Sequence, residues 1–214
     1  ENEYAQKHRM ELYRSALQQL RERGNIFACS CSRKVRQDGM YPGICRSLKI
    51  PFDTENTSWR VDTSHSSKMT VKALHGKEVE TELPAIIHDF IVRKKDRIPA
   101  YQLTSLIDDL HFNIDLVVRG EDLWPSTVAQ LCLASILGRT TFLGTTFYHP
   151  KLLLDVEGKK LSTSEGATSV QYLRKHGNKP ADIYTAIARM LHVGETVSNW
   201  EDLVSLLQIR EELQ

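Results

Sequence analysis

Apolar positions along the chain fall into short periodic stretches separated by polar ones. Tyr13, Ala16, Leu17 and Leu20 recur at helical spacing and predict an amphipathic helix, stopped by Gly24-Asn25. Ile26-Phe27-Ala28 predicts a short strand leading into Cys29-Ser30-Cys31. Residues 38–53 are rich in turn formers, and 54–82 are polar and weakly periodic, which reads as part of an irregular β-rich insertion. Ile86 to Val92 suits a strand, and Leu103, Leu106, Ile107 and Leu110 give helical spacing again. Ile114 to Val118, apolar and β-branched, predicts a buried parallel strand that ends at Arg119-Gly120-Glu121-Asp122. A helix follows, with Pro125-Ser126 near its start, Leu131 and Ile136 in its body and Gly138 at its end. Lys151 to Leu154 predicts one more strand, then a polar, glycine-containing loop from Asp155 to Thr168. Ile183, Ala186, Ile187, Met190 and Leu191 mark a helix, and Trp200, Leu203, Leu206 and Leu207 another. The alternation predicts an α/β sheet domain followed by a small helical unit.

Composition narrows the class. The 214 residues suit one large or two small domains, and 41% apolar with 26% charged residues is the make-up of a globular protein. Lys and Arg (28) balance Asp and Glu (27), so no global basic field points to nucleic acid, although a local basic face remains compatible. No apolar run reaches the roughly 20 residues of a membrane span, and no basic-then-apolar leader opens the chain. Glu1 in place of Met, with a helical pattern almost at once, reads as a chain cut from a longer parent.

Three constellations carry candidate chemistry. Cys29, Cys31 and Cys45 lie close in sequence, and zinc favours such thiolates, with Tyr41, His65 or His75 as a fourth donor. Buried inert thiols are the other reading, and a disulfide is disfavoured in an intracellular setting. Cys132, on an apolar helix, reads as core. Arg119-Gly120-Glu121-Asp122 sits where open α/β sheets bind ligands, beyond a strand's carboxyl end, and an arginine there suits a carboxylate or phosphate. A solvated turn with a salt bridge would look the same. Lys159 to Ser164, bracketed by Gly158 and Gly166, suits a mobile cationic loop over phosphates, although any basic surface loop shares that composition.

Taken together and in order, these stretches resemble the catalytic core of class I glutamyl-tRNA synthetases. The matching segments are Gln6-Lys7-His8, Cys29-Ser30-Cys31-Ser32-Arg33, Tyr41-Pro42-Gly43-Ile44-Cys45-Arg46, Asp89-Phe90-Ile91-Val92-Arg93, Ala100-Tyr101-Gln102-Leu103, Asp108-Asp109, Val117 to Leu123, Ser126-Thr127 and Lys160-Leu161-Ser162. Within that family the sequence is most similar to the shorter branch that glutamylates the queuosine base of tRNA(Asp). The resemblance implies a Rossmann-like α/β domain with a zinc-bearing insert and a helical C-terminal tail, its first strand and phosphate-binding motif missing. The implied division is residues 1–26, 27–98, 99–154 and 155–214. It implies a structural zinc on Cys29, Cys31, Tyr41 and Cys45, and a glutamate site at Tyr101 and Arg119. Asp122 would lie near the adenosine of ATP, with Lys160 and Ser162 on the mobile catalytic loop and magnesium accompanying ATP. The expected partners are glutamate, ATP and tRNA(Asp) carrying queuosine, for a cytoplasmic monomer.

The chain departs from the family twice. It has no match to the His-x-Gly phosphate element, and Thr163 replaces the loop's second lysine, which removes a formal positive charge. The alternatives are therefore a piece of an enzyme charging tRNA(Glu), or a non-catalytic tRNA-binding relative.

Overall fold

The computed structural model describes residues 4–35, 38–152, 169–191, 193 and 196–212. The chain divides into two compact units, Glu1–Pro150 and Lys151–Gln214.

In the first unit the expected amphipathic helix is α1 (Met10–Glu22), and its buried residues are Tyr13, Ala16, Leu17 and Leu20. Strand β1 (Ile26–Cys29) pairs antiparallel with β2 (Ser58–Val61), which pairs with β5 (Ile91–Arg93). A second sheet has the order β4-β3-β7-β6, from β3 (Met69–Ala73), β4 (Glu78–Thr81), β6 (Leu116–Val118) and β7 (Thr146–Tyr148). Its β3-β7 and β6-β7 pairs are parallel. Residues 54–82 are thus more regular than their polarity suggests, because β3 is drawn into this sheet beside β7. Helix α2 (Tyr101–His111) buries Leu103, Leu106 and Ile107, as its spacing predicts. Helix α3 (Trp124–Leu137) carries Pro125 in its first turn and ends at Gly138 in the left-handed region, φ 69°. A short α4 (Thr140–Leu143), which the periodicity does not reveal, follows.

Three strand expectations are corrected. The segment Ile86 to Val92 is not one strand: Ala85–Ile87 form a 3-10 turn, and pairing begins at Ile91. The cause is Asp89, at φ 48° and fully buried. Its Oδ1 accepts from the Thr63 amide and hydroxyl, and its own amide donates to Thr63 Oγ1. These bonds take the place of a ladder. Second, β6 is parallel but not buried: β7 is its one partner among the described residues, and Leu116 and Val118 are exposed. Third, the strand expected at Lys151 to Leu154 is β7, earlier in the chain; Lys151 and Leu152 are not strand, and Leu153 and Leu154 lie outside the described residues. Pro150, lacking an N–H, suits the end of the pairing.

The second unit holds α5 (Val170–Lys175), α6 (Pro180–Met190) and α7 (Trp200–Glu212). Ser169 caps α5 by accepting from the Tyr172 amide, and Asp182 accepts from the Lys179 amide at the start of α6. The Thr185 hydroxyl is bonded to both the amide and the carbonyl of Val197. Among the described residues no helix is long and apolar enough to cross a membrane.

Side-chain alternation along β1 and β2 sorts their residues between two faces, since successive side chains in a strand point to opposite sides. Ile26, Ala28, Trp59 and Val61 face the main core with α1, α2 and α3. Phe27 and Cys29 face the other way, into a small cluster with Tyr41 and Cys45.

Candidate functional site

The small cluster holds the first site. Cys29 lies at the end of β1, and Cys31 two residues on. Tyr41 and Cys45 come from the turn-rich segment that folds back over the strand. The three Sγ atoms lie within 4.8 Å of one another, the sole such group of metal-ligand side chains among the described residues. Cys31 Sγ and Cys45 Sγ are 3.4 Å apart and not bonded covalently. Tyr41 Oη is 3.4 Å from Cys29 Sγ and accepts from the Cys45 amide at 3.0 Å. Burial pushes the Tyr41 phenol and the Cys31 thiol up, the latter to about 11. Burial also raises Cys45, but hydrogen bonds from Cys31, Tyr41 and the Ser30 backbone outweigh it and bring Cys45 down to about 7. The other two candidate donors do not enter this group. His65 lines a separate cavity with Gly24 and Cys132, and the His75 side chain lies outside the described residues. Cys132 is buried in the main core, and burial pushes it up to about 11.

The segment is anchored beside the sheet by Arg46, next to Cys45. Its Nη2 donates to buried Asp89 at 2.5 Å, and its Nε is 3.3 Å from Asp62. A Cβ at Gly43, φ 75°, would sit against this guanidinium and Asp89.

The second site lies beyond β6. Arg119 follows the strand and turns its guanidinium onto α3. Nε and Nη2 both donate to Thr127 Oγ1, at 3.1 and 2.6 Å, and Nη2 also reaches Gln130 Oε1 at 2.9 Å. Gln130 is fully buried and donates to Gln102 Oε1, and Gln102 donates to Ser126 Oγ. With both Thr127 lone pairs taken, its proton goes to His149 Nε2 at 2.9 Å. His149 Nδ1–H then faces the Gly120 carbonyl at 3.3 Å. That tautomer needs a neutral ring, and burial lowers the His149 pKa, with the Arg119 charge acting in the same direction.

Tyr101 and Arg119 are brought together. Burial pulls the Arg119 guanidinium below its ordinary value, and the neighbouring Tyr101 phenol and Asp109 carboxylate offset part of this. Tyr101 is half exposed at the start of α2 and lines a cavity of about 270 Å³ together with Tyr41, Arg60 and Gln102. Among the described residues no carboxylate lies within ion-pair distance of Arg119. Asp122 is exposed in the short turn Glu121–Leu123 that follows Gly120. Lys160 and Ser162, with Thr163, lie outside the described residues.

Several residues of these sites escape sequence reasoning. Gln130 carries a faint signal, an amide inside the otherwise apolar run Val128 to Ala134, three places after Thr127. Arg60 carries another, a charge in a four-residue strand that is wholly buried. His149 carries none.

Two solved structures share the fold. A glutamate tRNA ligase from Elizabethkingia meningosepticum matches with TM-score 0.64 and 19% identity, over 93% of this chain and 48% of that one. A glutamate-tRNA synthetase from Elizabethkingia anophelis matches with TM-score 0.58 and 21% identity, over 93% and 43%. The chain therefore shares its fold with part of each of these two proteins. Residues 1–213 match the family described as tRNA synthetases class I (E and Q), catalytic domain, and the chain belongs to that family. Among curated relatives, the glutamyl-Q tRNA(Asp) synthetase of Thiobacillus denitrificans is 35% identical over 173 residues, 77% of this chain and 56% of its own length. That of Nocardia farcinica is 29% identical over 201 residues, 87% of this chain and 62% of its own. The chain thus spans between a half and two thirds of the length of these relatives.

Proposed function

We propose that the protein of which this chain forms the catalytic domain activates glutamate with ATP and transfers the glutamyl group to the queuosine base of tRNA(Asp). The observation that carries this is Arg119: a half-buried guanidinium, fixed by Thr127 and Gln130, beside Tyr101 and with no protein carboxylate in ion-pair reach among the described residues. Such a group is pre-organised for a carboxylate that arrives from solution. The names of the curated relatives support glutamate and tRNA(Asp) as substrates. Attack of the glutamate α-carboxylate on the ATP α-phosphate gives glutamyl-adenylate and pyrophosphate, and the acyl group then passes to a hydroxyl of the modified base. Positioning and charge neutralisation do most of this work. Asp122 is proposed at the adenosine, and Lys160 and Ser162, with magnesium, at the phosphates.

The thiol cluster fits a structural zinc. Thiolates around a zinc ion at about 2.3 Å stand roughly 3.8 Å apart, and the three sulfurs and the Tyr41 oxygen are already gathered at that scale. Cys29, Cys31, Tyr41 and Cys45 would hold it, and the metal would tie the segment after β1 into one piece. The organisation that goes with this reading makes 27–98 the metal-bearing and connecting segment between 1–26 and 99–154, with 155–214 as loop and helical tail.

The test is exchange of labelled pyrophosphate into ATP by the complete protein, without tRNA, followed by transfer of labelled glutamate. Glutamate-dependent exchange and labelling of tRNA(Asp) only when it carries queuosine are expected. Labelling of tRNA(Glu) instead would move the acceptor, and tRNA binding without exchange would remove the activity.

A further inference from the structure

Arg60 is buried, with a relative exposure of 5%. Burying a guanidinium is costly unless an anion or a full set of acceptors compensates it. Arg60 has little of either. Nη1 donates to the Asp89 carbonyl at 2.7 Å, Nε has no acceptor, and no carboxylate lies in ion-pair reach among the described residues. What it does face is the thiol cluster. In the β1-β2 register Arg60 is opposite Phe27, and Ser58 is opposite Cys29, so all four share one face of the ribbon. The guanidinium carbon sits 3.8 Å from the centre of the Tyr41 ring, and the Tyr41 oxygen is 3.4 Å from Cys29 Sγ.

We propose that Arg60 is the countercharge of the metal centre, a positioning residue that holds Tyr41 and neutralises the excess negative charge of a zinc bound by three thiolates and a phenolate. This rests on the zinc reading above. Four anionic donors carry more negative charge than one dication cancels, and the excess lies in a buried cluster. A guanidinium stacked on the phenolate ring, and fixed by strand register, is where that charge meets compensation. A phosphate bound to Arg60 in the adjoining cavity fits less well. The cavity of about 780 Å³ there is lined by Lys94, Lys95 and Asp96, but Lys94 already pairs with Asp96 and Lys95 donates to the Ser30 carbonyl.

The experiment compares Arg60→Gln and Arg60→Lys with the parent chain, under reducing conditions, by zinc affinity in chelator competition and by melting with and without zinc. Loss of a group supporting a metal ligand costs about 10- to 100-fold in metal affinity. Arg60→Gln is expected to show that loss, and Arg60→Lys to recover most of it. Without metal, Arg60→Gln should melt no lower than the parent, because it removes an uncompensated buried charge. A purely structural role predicts the opposite, equal destabilisation with and without zinc, and would overturn the proposal. So would unchanged zinc affinity in Arg60→Gln, or inorganic phosphate raising the melting temperature of the metal-free parent but not of the Gln variant. Failure of the parent itself to bind zinc would instead sink the zinc reading, and this inference with it.

Discussion

Thr127 Oγ1 accepts two hydrogen bonds from Arg119, from Nε at 3.1 Å and Nη2 at 2.6 Å, and so fixes the guanidinium plane from the first turns of α3. The Thr127 hydroxyl also joins Arg119 to His149, at 2.9 Å. Thr127→Val keeps the shape and removes the hydroxyl. Hydrogen bonds to charged groups contribute about 1.5–3 kcal/mol, so the KM for glutamate in pyrophosphate exchange should rise by roughly tenfold or more. Thr127→Ser should stay near the parent. A Thr127→Val enzyme with unaltered KM would remove Arg119 from glutamate binding.

Asp108 ties α1 to α2. It accepts from Arg9 Nε at 2.7 Å, from Gln6 at 2.9 Å and from the Tyr13 hydroxyl. Burial alone would raise the Asp108 pKa, but these bonds outweigh it and hold the carboxyl below its usual range. Tyr13 moves the other way, pushed up to about 12 by burial first and Asp108 second. The contribution of Asp108 is thus complete above its unfolded value near 3.9 and is lost as pH falls through the lower folded value. That of Tyr13 is complete below about 10 and fades as pH rises toward 12. Asp108→Asn should lower stability by about 3 kcal/mol at neutral pH and flatten the acid limb, as urea unfolding across pH would show.

Metal removal should act on the whole first unit if the thiol cluster holds zinc. At free zinc about 1,000 times its dissociation constant, binding adds ~4 kcal/mol, or roughly 10 °C in melting temperature for a chain of this size. Chelation should abolish that increment, and Cys45→Ser should show none. Tyr41→Phe should keep the ring packing on Phe27, 6.3 Å between centroids, yet lose part of the metal-dependent increment. Elemental analysis should return about one zinc per chain.

Gly138 closes α3 at φ 69°, with its amide bonded to the Ser135 carbonyl. A Cβ there meets nothing closer than 3.9 Å, so the cost of Gly138→Ala is conformational. Thermal unfolding should show a loss of about 1 kcal/mol.

Legibility tracks periodicity. The stripe Tyr13-Ala16-Leu17-Leu20 and the spacing in α2 give the correct buried faces, because a helix against a core must repeat its apolar positions. Strands of three or four residues leave too few positions to repeat. That is why β7 escapes the pattern, and why Ile86 to Val92 looks continuous although Asp89 breaks it through Thr63. The pairing of Tyr101 with Arg119 is implied by resemblance alone, since the residues are 18 positions apart and no local rule joins them.

The α/β alternation, the helix faces and the residue types able to hold a metal or a carboxylate can be read from the amino-acid sequence. These depend on local spacing and side-chain chemistry, which the chain carries in full. The grip of Gln130 and Thr127 on Arg119, the exposure of Leu116 and Val118 in β6, and the placing of Arg60 against Tyr41 rather than in the main core come from the tertiary structure. Each of those outcomes depends on strand register and helix docking, and a shift of one residue in β2 would turn Arg60 to the opposite face.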